Sequence, residues 1–334
     1  MADAAIVFHL PRRYLADYDR VGHLRLFARI SQVLAPLGAR IEVRDRRLLP
    51  FEGGDPAPYA DGNLHIIENG RVQGAGVLNA TMAYLPPYWH LDPVGVLAES
   101  SIGARVYDRA LVPVKPAMAL LGDLRDRWVT PRRSRHTQAE ALADLPKGCI
   151  AVFMQGTLPQ SRGLAHCDPG AMLAAVAQGA AGRVVLAKPH PLALEHDLAV
   201  IADVQAQRLA VTATDANLHD ILAACVVTVS FNSAVAIEGF LHRKPAILFG
   251  PSDFHHFAET VTDPAGFPQA LTRALDHPKE GYAQFLHWYF ARQCLNVEGK
   301  RFRDKLLAIL SVAEFPAERL GIEMGGPDGS GAAG

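Results

Sequence analysis

Lysine, cysteine and net charge are all scarce in this chain, and each shortage excludes a class of function. Of 33 basic residues in 334, only 7 are lysine, and 34 acidic residues bring the net charge to −1. No overall basic field draws the protein to nucleic acid or to an acidic membrane surface, so any contact with a polyanion must be local. The arginine bias itself reads as GC-rich coding. The four cysteines, Cys149, Cys167, Cys225 and Cys294, form no C-x-x-C pair. That spacing argues against a disulfide framework or a zinc site and fits a reducing cytoplasm. Long apolar runs are missing too, none reaching the roughly 18 residues a membrane helix needs. At the N-terminus Arg12 and Arg13 follow a short apolar run, whereas a secretory signal places basic residues first. The expected location is the cytoplasm, with at most peripheral contact at the inner membrane. The chain also lacks a Walker loop and a G-x-S-x-G elbow, and its one G-x-G-x-x-G, Gly329–Gly334, falls in the glycine-rich end rather than after an apolar run, which weighs against an ATPase, an NAD enzyme or a serine hydrolase.

What is present is globular: 49% hydrophobic and 20% charged residues, enough for about two domains. An apolar run at 6–10, helical spacing over 21–37 ended by Gly38, and a second run at 40–43 predict a β-α-β opening. A Rossmann-like N-terminal domain over 1–140 follows from it. Its centre, 79–101, carries Pro86-Pro87 with Tyr84, Tyr88 and Trp89, and reads as an ordered surface of loops. The basic segment 130–138 reads as the interdomain linker. Beyond it, apolar runs at 149–154, 184–187, 209–212, 226–229 and 246–249 alternate with helical segments. Runs with almost no internal polar residue are what parallel strands buried on both faces require. The second domain, 141–320, is therefore expected to be a doubly wound parallel sheet, and the glycine-rich end, 321–334, a disordered tail.

In such sheets ligands bind beyond the carboxyl ends of the strands. The residues there are polar: Gln155-Gly156-Thr157, Lys188-Pro189-His190-Pro191, Ser230 with Asn232 and Ser233, and Gly250-Pro251-Ser252. Two prolines fix the backbone around His190, so its ring can donate to a phosphate oxygen at little ordering cost, and Lys188 adds charge. The serines precede a helix whose free N–H groups suit an anion. Glu238 on that helix can accept from ribose hydroxyls. The cluster Asp215, Asn217, His219 and Asp220 reads as structural, with Asp215 capping the next helix. The adjacent pair His255-His256 lacks a carboxylate at metal spacing, so no metal is expected.

Lys188-Pro-His-Pro191, Asp215-Ala-Asn-Leu-His-Asp220, Ser230-Phe-Asn-Ser-Ala-Val-Ala-Ile-Glu238 and Lys244-Pro-Ala-Ile-Leu-Phe-Gly250 together resemble the capsule polysaccharide biosynthesis family. That family includes retaining β-Kdo transferases that use CMP-Kdo. The resemblance covers mainly residues 150–256 and implies a GT-B fold of two Rossmann-like domains. It implies that His190, Ser230 and Ser233 serve the CMP phosphate; Gln155, Lys188, Asn232 and Glu238, read from their place at the strand ends, complete the expected donor site. The family's Glu-Asp-Gly motif is matched here by Glu68-Asn69-Gly70, and its Asp-x-x-Gly by Asp92-Pro-Val-Gly95. An amide cannot replace a carboxylate nucleophile or base. Glu68 is therefore the expected catalytic carboxylate and Asp92 its alternative.

The expected reaction moves a Kdo-like sugar from a CMP-activated donor to a glycan or glycolipid acceptor bound between domains, with no cofactor. Donors on the departing CMP phosphate stabilise its developing charge, and the carboxylate deprotonates the acceptor or attacks the anomeric carbon. Tyr84, Tyr88 and Trp89 could stack on acceptor sugars. Two other readings share the same site: a nucleotide-sugar epimerase or phosphate-releasing enzyme, and a catalytically silent partner in a polysaccharide assembly complex.

Overall fold

The computed structural model describes residues 4–278 and 280–323. The chain forms two compact units, Met1–Ser101 with Gln293–Gly334, and Ile102–Arg292. Sequence reasoning puts a single boundary near 140. The contacts instead divide the chain at 101 and again at 292, because the C-terminal segment returns to complete the first sheet. No local pattern reports such a return.

The first unit opens with β1 (Ile6–Leu10), α1 (Arg25–Leu34), β2 (Ile41–Asp45), β3 (Leu64–Glu68), β4 (Val77–Met82) and β5 (Tyr88–Asp92). Leu26, Phe27, Ile30 and Leu34 lie on one face of α1 and are buried, the periodicity of a helix packed on a sheet. The turn after it needs Gly38, whose φ is +101° and where a Cβ would stand 2.5 Å from the Gly321 carbonyl oxygen. That approach, with the Glu323 amide donating to Leu37 O at 2.8 Å, shows residues 321–323 packed against the unit. The rest of the expected tail, 324–334, lies outside the described residues.

The second unit runs through α2 (Val114–Leu124), β6 (Ile150–Phe153), α3 (Leu158–Ser161), α4 (Pro169–Gln178), β7 (Val185–Lys188), α5 (Leu194–Ala206), β8 (Thr212–Ala213), α6 (Leu218–Ala224), β9 (Val227–Ser230), α7 (Val235–Leu241), β10 (Ala246–Leu248), β11 (Glu259–Thr260), α8 (Phe267–Asp276) and α9 (Tyr282–Leu286). Its strands pair in the order β11-β10-β9-β6-β7-β8, all parallel. Alternate residues of β6 build two cores: Ile150 and Val152 pack with Met172, Val176 and Phe267, Ala151 and Phe153 with Leu218, Ile221 and Leu222. Helices thus cover both faces, the doubly wound sheet expected. The chain order reverses between β6 and β9, so the crevice at their carboxyl ends is the topological switch point where ligands bind.

The chain then re-enters the first unit as β12 (Leu295–Asn296) and α10 (Phe302–Val312). The completed sheet has the order β12-β5-β4-β3-β1-β2, with β5 antiparallel to β4 and β12 antiparallel to β5. Here the loop reading of 79–101 is corrected: β4 and β5 are regular strands. Tyr84, Tyr88 and Trp89 are buried in that region, Trp89 edge-on to Phe27, so they serve packing and offer no stacking surface for an acceptor sugar. A buried polar chain also crosses this sheet. His9 Nε2 meets His65 Nδ1 at 2.9 Å and His65 Nε2 meets Asp61 at 2.8 Å, which holds the His9 pKa down at about 4 through burial and its neighbour His65.

Candidate functional site

The carboxyl ends of β6, β7 and β9 are bound into one assembly. Gln155, just past β6, reaches across the switch point: its Oε1 accepts from the Phe231 and Asn232 amides at 3.0 and 3.1 Å, and its Nε2 donates to Asn232 Oδ1 at 3.1 Å. Asn232 in turn donates to Leu164 O and Pro251 O. Next to Gln155, Gly156 has φ +61° and a Cβ there would lie 2.6 Å from Ala193 Cβ. Its N–H donates to Asp197 Oδ1 at 3.1 Å, while the His190 N–H donates to Asp197 Oδ2 at 2.8 Å. One fully buried carboxylate on α5 therefore pins the loops after β6 and β7 together.

His190 is set up to donate. The Leu192 N–H donates to its Nδ1 at 3.2 Å, so the neutral ring carries its proton on Nε2. Burial, with His136 beside it, pushes its pKa down and favours that neutral form. Lys188 is used differently from expectation. Its Nζ donates to Asp215 O at 3.1 Å and Ala216 O at 2.7 Å, bracing the loop after β8.

The turn after β9 also departs from the open anion nest. Four of its N–H groups already have acceptors: Gln155 takes Phe231 and Asn232, Ser230 Oγ takes Ser233 at 3.3 Å, and Ser233 Oγ takes Val235 at 3.2 Å. What remains for a ligand is the Ala234 N–H and the hydroxyl hydrogens, and of the two serines Ser230 is buried while Ser233 is partly exposed. Glu238 is 3% exposed, accepting from Ser134 Oγ at 2.9 Å. Its Oε2 has no hydrogen-bond partner among the described residues and stands 3.7 Å from His219 Nε2. Burial pushes its pKa up to about 8, so at neutral pH it is largely an uncharged acid.

Residues 130–138 are not a linker between domains. They lie within the second unit, docked on the start of α6. Asn217 caps α6 through the His219 N–H and donates to Arg132 O and Ala139 O at 3.3 and 3.0 Å. The cap is thus Asn217 rather than Asp215. Arg132 grips Asp220 with two donors at 2.6 and 3.0 Å. His219 Nε2 donates to Arg133 O at 2.5 Å, leaving Nδ1 to accept from His242 Nε2 at 3.0 Å. The polar cluster after β8 is structural, as its spacing implied, and its function is to hold this segment. The segment faces the switch-point loops, since Ser134 binds Glu238 and His136 packs edge-on to His190 at 5.4 Å. Trp128, residues 131–140 and Asn217 wall a cavity of about 460 Å³.

In the first unit, Glu68 ends β3 and Asp92 ends β5. Glu68 is buried, ion-paired with Arg46, and its Oε1 accepts from Asn69 Nδ2 at 2.5 Å. Burial raises its pKa and the nearby Arg46 and Arg13 oppose that shift. Asn69 accepts from Thr81 Oγ1 at 2.5 Å, so the amide in the family's acid position orients Glu68. Asp92 is surrounded by donors: the Val94, Gly95 and Ser101 amides at 2.8 to 3.2 Å and Ser101 Oγ at 2.6 Å. It organises the turn that follows β5. Asn79 ties the two turns, donating to Val72 O and Asp92 O.

His255 and His256 stack and each ring meets a backbone carbonyl, Ser252 O and Arg105 O. Among the described residues no group of three or more His, Cys, Asp or Glu side chains could hold a metal ion, and no helix is long and apolar enough to cross a membrane. Sequence reasoning missed Asp197, Ser134, His136 and Arg132. Asp197 looks like any acidic residue in a helical first turn, and the other three lie in a segment that reads as linker.

No protein-family model matches the chain, and no curated protein sequence matches it. Solved structures do. A β-Kdo 2,7-transferase KpsC structure from Thermosulfurimonas dismutans aligns over 85% of this chain and 89% of its own, with a TM-score of 0.50 and 12% identity. The β-Kdo 2,4-transferase KpsC structure of the same organism aligns over 85% and 90%, with a TM-score of 0.48 and 15% identity. At such identities the likeness is one of fold: the chain has a GT-B-like α/β fold with two Rossmann-like units.

Proposed function

We propose that the protein is a glycosyltransferase that moves a sugar, Kdo-like in class, from a CMP-activated donor to a glycan or glycolipid acceptor in surface polysaccharide synthesis. The observation that carries this reading is the state of His190. It stands at the carboxyl edge of a doubly wound sheet, its backbone pinned by Asp197 and its Nε2–H fixed as a donor. A preset donor at that edge suits the phosphate of a nucleotide, whose charge grows as the glycosidic bond breaks. In this reading Ser233 adds its hydroxyl, while Lys188, Gln155, Asn232 and Ser230 hold the loops in register.

Glu68 is the proposed catalytic carboxylate, with Arg46 and Asn69 fixing its orientation. It acts on the acceptor hydroxyl as base or on the anomeric carbon as nucleophile. Glu68→Gln is expected to abolish transfer while leaving nucleotide affinity unchanged. Asn69→Asp would set a second negative charge against Glu68 and remove a donor to it, so transfer should fall despite the closer match to the family motif.

The test is calorimetric titration with CMP, UDP, GDP and ADP, followed by product analysis with a CMP-sugar, with and without acceptor. Selective binding of CMP, weakened about tenfold or more by His190→Ala, is expected. Equal binding of all four nucleotides would refute the donor assignment. The enclosure of Asp92 and the amide at Asn69 favour one second reading, a nucleotide-binding partner that never turns over. Binding of CMP without transfer to any acceptor would select it.

A further inference from the structure

We propose that the cavity walled by Trp128, residues 131–140 and Asn217 is a second anion site, which takes a carboxylate or phosphate carried on a small ligand. Its volume of about 460 Å³ lies in the range that holds small molecules. Arg132, Arg133, Arg135 and His136 line it, with Glu140 as the one lining acid. Arg132 is neutralised by Asp220, whereas Arg133 and Arg135 have no carboxylate partner among the described residues. Arginine forks fit carboxylates and phosphates with two parallel bonds.

The frame under these arginines is rigid. The carbonyls of Arg132, Arg133 and Ala139 each accept from Asn217 or His219, and Gln138 Oε1 accepts from the Leu218 amide at 2.9 Å. A loop already held in place loses little entropy when a ligand arrives. Contact between His136 and His190 sets the site beside the turn assigned to the nucleotide phosphate. The anionic group can therefore come from the donor's own sugar or from an acidic acceptor. That choice of source rests on the proposed function; the anion site itself does not.

The test is calorimetry on the full chain with glucuronate, its uncharged methyl ester, CMP, and CMP-N-acetylneuraminate as a nucleotide sugar bearing a carboxylate. Glucuronate is expected to bind at least about tenfold tighter than the ester, and the Arg133→Gln/Arg135→Gln double variant to lose at least about tenfold in glucuronate affinity. CMP affinity should stay within about twofold, which also reports intact folding. If the nucleotide sugar displaces glucuronate and weakens in the double variant, the site serves the donor; if both bind at once, it serves the acceptor. Equal binding of acid and ester, undiminished binding in the double variant, or no glucuronate binding would each overturn the proposal. Failure of CMP to bind would remove the nucleotide reading and leave this site standing.

Discussion

Removing the Asp197 carboxylate should loosen two loops at once. In Asp197→Ala the N–H groups of Gly156 and His190, now bonded at 3.1 and 2.8 Å, lose their acceptor in a buried place. An unsatisfied buried donor costs about 1–3 kcal/mol. His196, half exposed at 39%, adds little through its own bond to Asp197 because water replaces it. Relief of the buried charge offsets part of the loss, which leaves about 2–4 kcal/mol of local destabilisation for the pair of donors. Asp197→Asn keeps one acceptor and turns an NH₂ toward the other donor, so about half of that loss is expected. The assay is amide hydrogen exchange at Gly156 and His190, a local measurement suited to a chain of two units. Exchange at both should accelerate about thirtyfold or more in the alanine variant, since about 1.4 kcal/mol is tenfold. CMP affinity should fall with it, as His190 loses its fixed position. Unchanged protection at both amides would refute the view that Asp197 clamps the switch-point loops.

Glu238 predicts a pH dependence. Its folded pKa of about 8 lies above the ordinary 4.5, so between those values the folded protein holds a proton that the unfolded chain has released. Stability should therefore fall as pH rises through that window, by an amount on the order of a few kcal/mol, and level off above it. Glu238→Gln should flatten the profile, and thermal melts from about pH 5 to pH 9 that retain the wild-type slope would contradict the assignment. Asn217→Ala removes the α6 cap and two bonds to residues 132 and 139. It should cost about 1–2 kcal/mol and expose 130–143 to limited proteolysis, with cleavage read by mass spectrometry. Gly70→Ala would place a Cβ against the Asn79 amide and 2.7 Å from Ile67 Cγ2. Overpacking there should lower stability by about 1–3 kcal/mol and disturb Glu68, so an unchanged melting temperature would count against the packing of this turn.

Much of the second unit was legible because its strands are buried on both faces. The runs at 149–154, 184–187, 226–229 and 246–249 coincide with β6, β7, β9 and β10 to within a residue or two. The polar composition of the loops after them was legible too, but not which of those residues hold the loops together. The first unit was less so. Proline-rich, aromatic composition around β5 resembles a loop, and only burial among α1, β4 and β12 makes it a strand. The short strand β12 carries no pattern of its own; its pairing with Tyr88 and Trp89 arises from the return of a distant segment.

Composition and periodicity by themselves determined a two-unit α/β protein with a doubly wound second sheet and a polar carboxyl edge, because burial on two faces leaves a local signature. Only the tertiary structure decided what each polar residue does. It assigned Lys188 to carbonyls, Asp92 to a turn, Asn217 to a cap and the segment 130–138 to the wall of a cavity. Those roles depend on which acceptors lie nearby, and partners as much as 104 residues away, as for Ser134 and Glu238, are brought within bonding distance only by the folded chain.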